Sequence, residues 1–209
     1  MEANEEELKI ILVGESGVGK TSIINRFIHD TFEDNSPTTT SGTFSAKILL
    51  FNDGKKLIFN LWDTAGQEKF RSLTKIFYKQ AKVAILVYDI TKQDSLDKIK
   101  NFWINDLKEN ITSDIILFLV GNKIDLLEKE EASEEDAQQF AKKMNIDLFN
   151  ISAKENSGID KLFNQIAKKY TGRDDFKFIN SLEELKKQMD KINSGKLKEN
   201  NNNKKKKCC

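Results

Sequence analysis

An α/β fold, with a six-stranded, mostly parallel sheet containing one antiparallel strand and about five flanking helices, is predicted by three features of the chain. Short apolar runs alternate with amphipathic stretches. The first apolar run leads straight into a glycine-rich turn. A single hairpin signal, Asn52-Asp53-Gly54, separates the second and third runs. Strands that alternate with helices give a parallel sheet covered on both faces, with ligand sites at the carboxyl ends of the strands.

The elements follow in order. Residues 8–13 read as a buried strand, and 22–29 show helical spacing through Ile23, Phe27 and Ile24, Ile28. Residues 44–51 and 57–62 are the two arms of the hairpin. Residues 83–88, 115–120 and 146–151 are three further short apolar strands. Helices are expected over 94–109, 133–144 and 159–170, the second opened by the capping box Ser133-Glu134-Glu135-Asp136. Thr171-Gly172 is a helix stop. Residues 178–192 place Phe178, Leu182, Leu185, Met189 and Ile192 at helical spacing, as a surface or partner-binding helix would.

At 209 residues the chain suits one domain. We expect an acidic extension over 1–7, a domain over 8–170 and a largely disordered basic tail over 171–209. The formal charge is +1, which argues against a dedicated nucleic-acid binder. Residues 186–209 carry nine lysines against Asp190 and Glu199, a net of +7 that leaves −6 on the rest. A basic tail on an acidic body suits an anionic surface. Both cysteines, Cys208 and Cys209, end the chain, so neither a disulfide framework nor a zinc site is expected in the body. The acidic start is unlike a signal peptide, Glu2 excludes N-myristoylation, and no apolar run is long enough to span a bilayer.

Gly14-Glu15-Ser16-Gly17-Val18-Gly19-Lys20-Thr21 matches the phosphate-loop pattern G-x-x-x-x-G-K-[ST] between a strand and a helix. Its glycines let successive N–H groups face phosphate oxygens, and the following helix offers its positive end. Lys20 supplies a cation for the β- and γ-phosphates, and the Thr21 hydroxyl a ligand for Mg²⁺. The pattern alone leaves adenine and guanine nucleotides open. His29, the one histidine, reads as a surface or helix-end residue.

With Gly121-Asn122-Lys123-Ile124-Asp125 after the fifth strand, the chain resembles a small GTPase of the Ras superfamily. The resemblance implies the P-loop small-GTPase fold, with Gly14, Ser16, Gly17, Val18, Gly19, Lys20, Thr21 and Ser22 around the phosphates. Asp125 would accept from guanine N1–H and the 2-amino group, donors that adenine lacks, so an adenine base would leave it unpaired. Asn122 and Lys123 would support the base and the loop. Ser152-Ala153-Lys154 matches the segment whose backbone N–H meets guanine O6, and Phe32 holds the place of the family's base-edge aromatic. Trp62-Asp63-Thr64-Ala65-Gly66-Gln67-Glu68 matches the D-x-x-G segment. It would place Asp63 at Mg²⁺ through water, the Gly66 N–H at the γ-phosphate, and Gln67 at the attacking water. Thr39, in the run Thr38-Thr39-Thr40, would complete the Mg²⁺ shell with Thr21 and Asp63.

Several segments resemble the Rab branch in particular. Leu57 to Glu68, Lys69-Phe70-Arg71-Ser72-Leu73, Phe77-Tyr78-Lys79-Gln80-Ala81 and Leu86-Val87-Tyr88-Asp89-Ile90-Thr91 follow its patterns. Phe44, Trp62 and Phe77 fall on the aromatic triad that Rab effectors contact. Thr40 and Ser41 depart from the family's T-I-G-x-x-F, in a loop that carries effector and regulator contacts; Ser16 is ordinary for Rabs. The ending Lys204-Lys205-Lys206-Lys207-Cys208-Cys209 resembles the Rab Cys-Cys terminus, geranylgeranylated on both cysteines, and two chains are enough for stable anchoring.

The resemblance implies a GTP/GDP switch in vesicle traffic, monomeric, on the cytoplasmic face of an intracellular membrane and cycling with the cytosol. Effectors, an exchange factor, a GTPase-activating protein, a prenylation escort and a GDP-dissociation inhibitor are the implied partners. Lys20 and Gln67 are the expected catalytic residues, and without an arginine in the phosphate loop the intrinsic rate should be slow. Two alternatives stand beside it: a GTP-binding scaffold that does not hydrolyse, motivated by Thr40 and Ser41, and an ATP-using P-loop kinase, which Asp125 opposes.

Overall fold

A computed structural model of the protein describes residues 5–34, 37, 39, 42–64, 77–111, 114–192 and 194. The strands are β1 (Glu5–Val13), β2 (Thr43–Phe51), β3 (Lys56–Asp63), β4 (Val83–Asp89), β5 (Ile116–Asn122), β6 (Asp147–Ile151) and β7 (Phe176–Ile179). They form one sheet in the order β6-β5-β4-β1-β3-β2-β7. The helices are α1 (Lys20–His29), α2 (Gln93–Lys98), α3 (Ile104–Asn110), α4 (Glu134–Met144) and α5 (Ile159–Thr171), and residues 182–192 are helical as well. A π-helical stretch, Ile99–Trp103, joins α2 to α3, and Ile124–Lys129 is a 3₁₀ helix.

The six expected strands all form, and a seventh corrects the count. β7 pairs antiparallel with β2 from Ile48↔Ile179 to Phe51↔Phe176. Because β2 is itself antiparallel to β3, β7 runs with the majority and β2 is the one reversed strand. The periodicity reading assigned Phe178 to a helix. Phe176 and Phe178 instead pack against the core, and Asn180 and Ser181 separate β7 from the helix that follows. β7 and this helix lie within 171–209, so part of the expected tail is ordered structure.

Alternation along β1 divides the core between the two faces of the sheet. Leu8, Ile10 and Leu12 pack with Phe27, Phe59 and Phe163 under α1 and α5. Ile11 and Val13 pack with Leu86, Tyr88 and Trp103 under α2, α3 and α4. Asn52 to Gly54 make the turn into β3, Ser133 caps α4 by accepting from the Asp136 N–H at 3.3 Å, and Gly172 ends α5 in the left-handed region. His29 ends α1 and is exposed. Among the described residues no helix is long and apolar enough to cross a membrane.

Candidate functional site

The loop after β1, the start of α1, the loops after β5 and β6, and Thr39 surround a cleft of about 320 Å³ at the carboxyl ends of the strands. Ser16, Gly17, Gly19, Lys20, Thr21 and Ser22 form one wall, and Asn122, Lys123, Asp125, Ala153 and Lys154 the opposite one. Phe32 and Thr39 close the rim. Residues more than 100 positions apart meet here because β1, β4 and β5 are adjacent in the sheet.

The phosphate loop is held from inside. Lys20 Nζ donates to the Gly14 and Glu15 carbonyls, both at 2.8 Å. Burial pushes this ammonium down to about 8, against the attraction of Asp63 and Glu15. Gly14 backs onto β4, where a Cβ would lie 2.2 Å from the Val87 carbonyl oxygen. Gly19 has φ +97, and its Cβ would lie 2.2 Å from Asn122 Nδ2. That amide donates to the Val18 carbonyl at 2.9 Å, while its Oδ1 accepts from the Ala153 N–H at 3.2 Å. One side chain from β5 thus joins the phosphate loop to the loop after β6.

Beside it, Lys123 adopts φ +75, donates to the Gly17 carbonyl at 2.8 Å and pairs with buried Asp89 at 2.6 Å. Asp125 accepts from the buried Ser152 hydroxyl at 2.5 Å, which also accepts from the Glu155 N–H. Arg26 of α1 donates to the Ala153 and Lys154 carbonyls at 2.9 and 3.0 Å.

Below the loop, Thr21 Oγ1 donates to Asp63 Oδ2 at 2.6 Å and lies 2.7 Å from the Thr39 hydroxyl, itself 3.4 Å from the same carboxylate oxygen. Asp63 Oδ1 is buried with no hydrogen-bond partner among the described residues. Desolvation pushes this carboxyl above the usual aspartate range, against the hydrogen bond from Thr21, the charge of Lys20 and the bond from Thr39. Two hydroxyls and a carboxylate oxygen without a partner are a donor set that suits a hard divalent cation.

Gly14, Val18, Asp63 and Ser152 do not line the cleft themselves; they hold the residues that do. Gly66, Gln67, Thr38, Thr40, Ser41, Cys208 and Cys209 lie outside the described residues. Phe44, Trp62 and Phe77 meet, with ring centroids 5.3 Å apart for Phe44 and Trp62 and 5.6 Å apart for Trp62 and Phe77, and Phe44 is 53% exposed. Sequence reasoning missed Asp89 and Arg26. An acid closing an apolar strand was a usable signal for the first; nothing in the pattern marked the second.

The family model described as the Ras family matches residues 9–172. The chain is similar to human Ras-related protein Rab-21, 41% identical over 161 residues that cover 77% of this chain and 71% of the relative. It is similar to the GTP-binding protein ypt5 of Schizosaccharomyces pombe, 40% identical over 162 residues, 77% of this chain and 76% of the relative. Ras-related protein RabJ of Dictyostelium discoideum is 40% identical over 163 residues, covering 78% of this chain and 63% of the relative.

Proposed function

The chain belongs to the Ras family, as a Rab-type small GTPase of membrane traffic, and from that premise we propose that the cleft beside Lys20 binds GTP and GDP with Mg²⁺ and hydrolyses GTP. The strongest support is the pairing of two half-sites in one cleft: a buried lysine within a glycine-rich loop, facing Asn122, Asp125 and Ala153. The first half suits phosphates and the second suits a base edge with two donors.

Thr21, Thr39 and Asp63 are the residues that would hold Mg²⁺, which when bound neutralises charge on the β- and γ-phosphate oxygens. Lys20 exchanges its two carbonyl partners for phosphate oxygens. Asn122 keeps the phosphate and base loops in register. Asp125, oriented by Ser152, accepts from the guanine edge. Gln67 orients the attacking water, and the Gly66 N–H senses the γ-phosphate.

With no arginine in the phosphate loop, the intrinsic turnover is slow and a GTPase-activating protein accelerates it. An exchange factor and effectors act on the same loops, the effectors through Phe44, Trp62 and Phe77. Geranylgeranyl groups on Cys208 and Cys209, delivered by a prenylation escort and extracted by a GDP-dissociation inhibitor, attach the chain to a cytoplasmic membrane face. Deleting both cysteines should release tagged protein into the soluble fraction; unchanged membrane association would remove that anchor from the reading.

Single-turnover GTP hydrolysis by the full-length protein, beside Gln67→Leu, tests the chemistry. Slow hydrolysis that falls further in the variant is expected. GTP binding without hydrolysis in either protein would replace the switch by a scaffold.

A further inference from the structure

The phosphate loop has a further attachment, reaching it from the far side of the sheet. Trp103, 2% exposed, donates its indole N–H to Glu15 Oε1 at 3.0 Å. Glu15 is the second residue of the loop, and its carbonyl accepts from Lys20 Nζ at 2.8 Å. One residue therefore connects Lys20, through its backbone, to a helix core, through its side chain.

Trp103 belongs to the core cluster on that face of the sheet. Trp103 closes the π-helical stretch Ile99–Trp103, within an otherwise continuous helical run from Gln93 to Asn110. A π-turn inserts one extra residue, which turns the positions on either side of it relative to each other by about 100°. Leu96 before the turn, Ile99 at its start, and Ile104 and Leu107 after it are all buried against the sheet, so the apolar face continues through the turn. Phe102 packs edge-on against the Trp103 ring, with centroids 5.1 Å apart. A buried indole finds a partner wherever it can, and here the partner is the side chain of a residue in the phosphate loop.

We propose that Trp103 is a positioning residue which, through Glu15, braces the phosphate loop and lengthens the lifetime of bound guanine nucleotide. The proposal rests on the reading of the cleft as a nucleotide site. Without the indole N–H, the Glu15 side chain is free to turn, and the loop carbonyl that Lys20 uses loses its fixed direction.

The test uses full-length protein loaded with radiolabelled GDP, in four forms: unaltered, Trp103→Phe, Glu15→Ala and the double variant. GDP dissociation should be about tenfold faster in each single variant, the lower end of the scale set by one hydrogen bond to a charged group. The double variant should dissociate no faster than the singles, because both remove the same link. Additive acceleration, or no acceleration in Trp103→Phe, would overturn the brace.

A second readout distinguishes the link from simple core filling. The chain has two tryptophans, and replacing the other one, by Trp62→Phe, identifies the Trp103 indole N–H resonance. Glu15→Ala, which leaves the helix core intact, should shift that resonance; an unmoved resonance would overturn the proposal even if Trp103→Phe failed to fold. If the unaltered protein retained no GDP, the nucleotide reading itself would fall and take the brace's function with it, while the resonance would still report whether the two residues are joined.

Discussion

Lys123 and Asp89 form an ion pair of 2.6 Å in which the carboxylate is fully buried and the ammonium is partly exposed. The same ammonium reaches the Gly17 carbonyl, so Asp89 governs a contact between the loop after β5 and the phosphate loop. Its other oxygen accepts from the Thr91 N–H and hydroxyl at 3.0 and 2.7 Å. Asp89→Asn should lower stability by about 2 kcal/mol, less than a fully buried pair because Lys123 keeps some water. Urea denaturation with and without GDP measures it, and GDP release should quicken. Unchanged release would mean that Lys123 holds the loop without help.

Gly19 and Asn122 oppose each other so closely that a methyl group at 19 has nowhere to go. Gly19→Ala should cost about 1–2 kcal/mol in backbone strain alone, because φ is +97. It should speed GDP release at least tenfold through the displaced Asn122 amide. Adding Asn122→Ala removes the clash but neither the strain nor the lost bonds to Val18 and Ala153, so GDP release should stay fast. Recovery of slow release in the double variant would show that the clash was the whole effect.

β7 is held by its aromatic rings. Phe178 meets Phe27 and Phe59 edge-on at 5.0 and 5.3 Å, and Phe27 stacks on Phe163 at 3.6 Å. Phe178→Ala should lower stability by about 2 kcal/mol, below the value for a fully buried ring because Phe178 is half-buried. Thermal unfolding checks this. An unchanged midpoint would show that β7 is not docked in solution.

The helix over 182–192 should loosen in acid. The Ser181 hydroxyl accepts from the Glu184 N–H, and Glu184 accepts in return from the Asn180 N–H and pairs with Lys177. The hydrogen bond from Lys177, and then the one from Asn180, hold this carboxyl below the ordinary glutamate value of 4.5. A depressed pKa contributes stability that is full above 4.5 and is lost as pH falls through the folded value. Amide exchange in 182–192 should therefore gain protection from pH 3 to 5 beyond the intrinsic exchange rate. Glu184→Gln should abolish that gain; a gain that persists would place the sensitivity elsewhere.

The sequence by itself determined the alternation that makes the sheet parallel, the phosphate loop with its lysine and hydroxyl, and the motif residues that line the cleft. Each is local. An apolar run, a glycine beside Lys20, or Asn122 three residues before Asp125 is legible because its chemistry depends on near neighbours. The S-x-x-E box at Ser181 was equally local and could have marked the start of the last helix, had Phe178 not matched the helical period as well.

Tertiary structure alone decided what depends on distance in space. Strand order brought Asn122 to Val18, Lys123 to Asp89 and Arg26 to Ala153. Packing of the helical run Gln93–Asn110 on the sheet brought Trp103 to Glu15. The free edge of β2, with the Phe27 and Phe59 rings beside it, turned 176–179 into a strand. Pairing, register and burial are properties of the assembled sheet, and no periodicity within one segment encodes which edge is left to be covered.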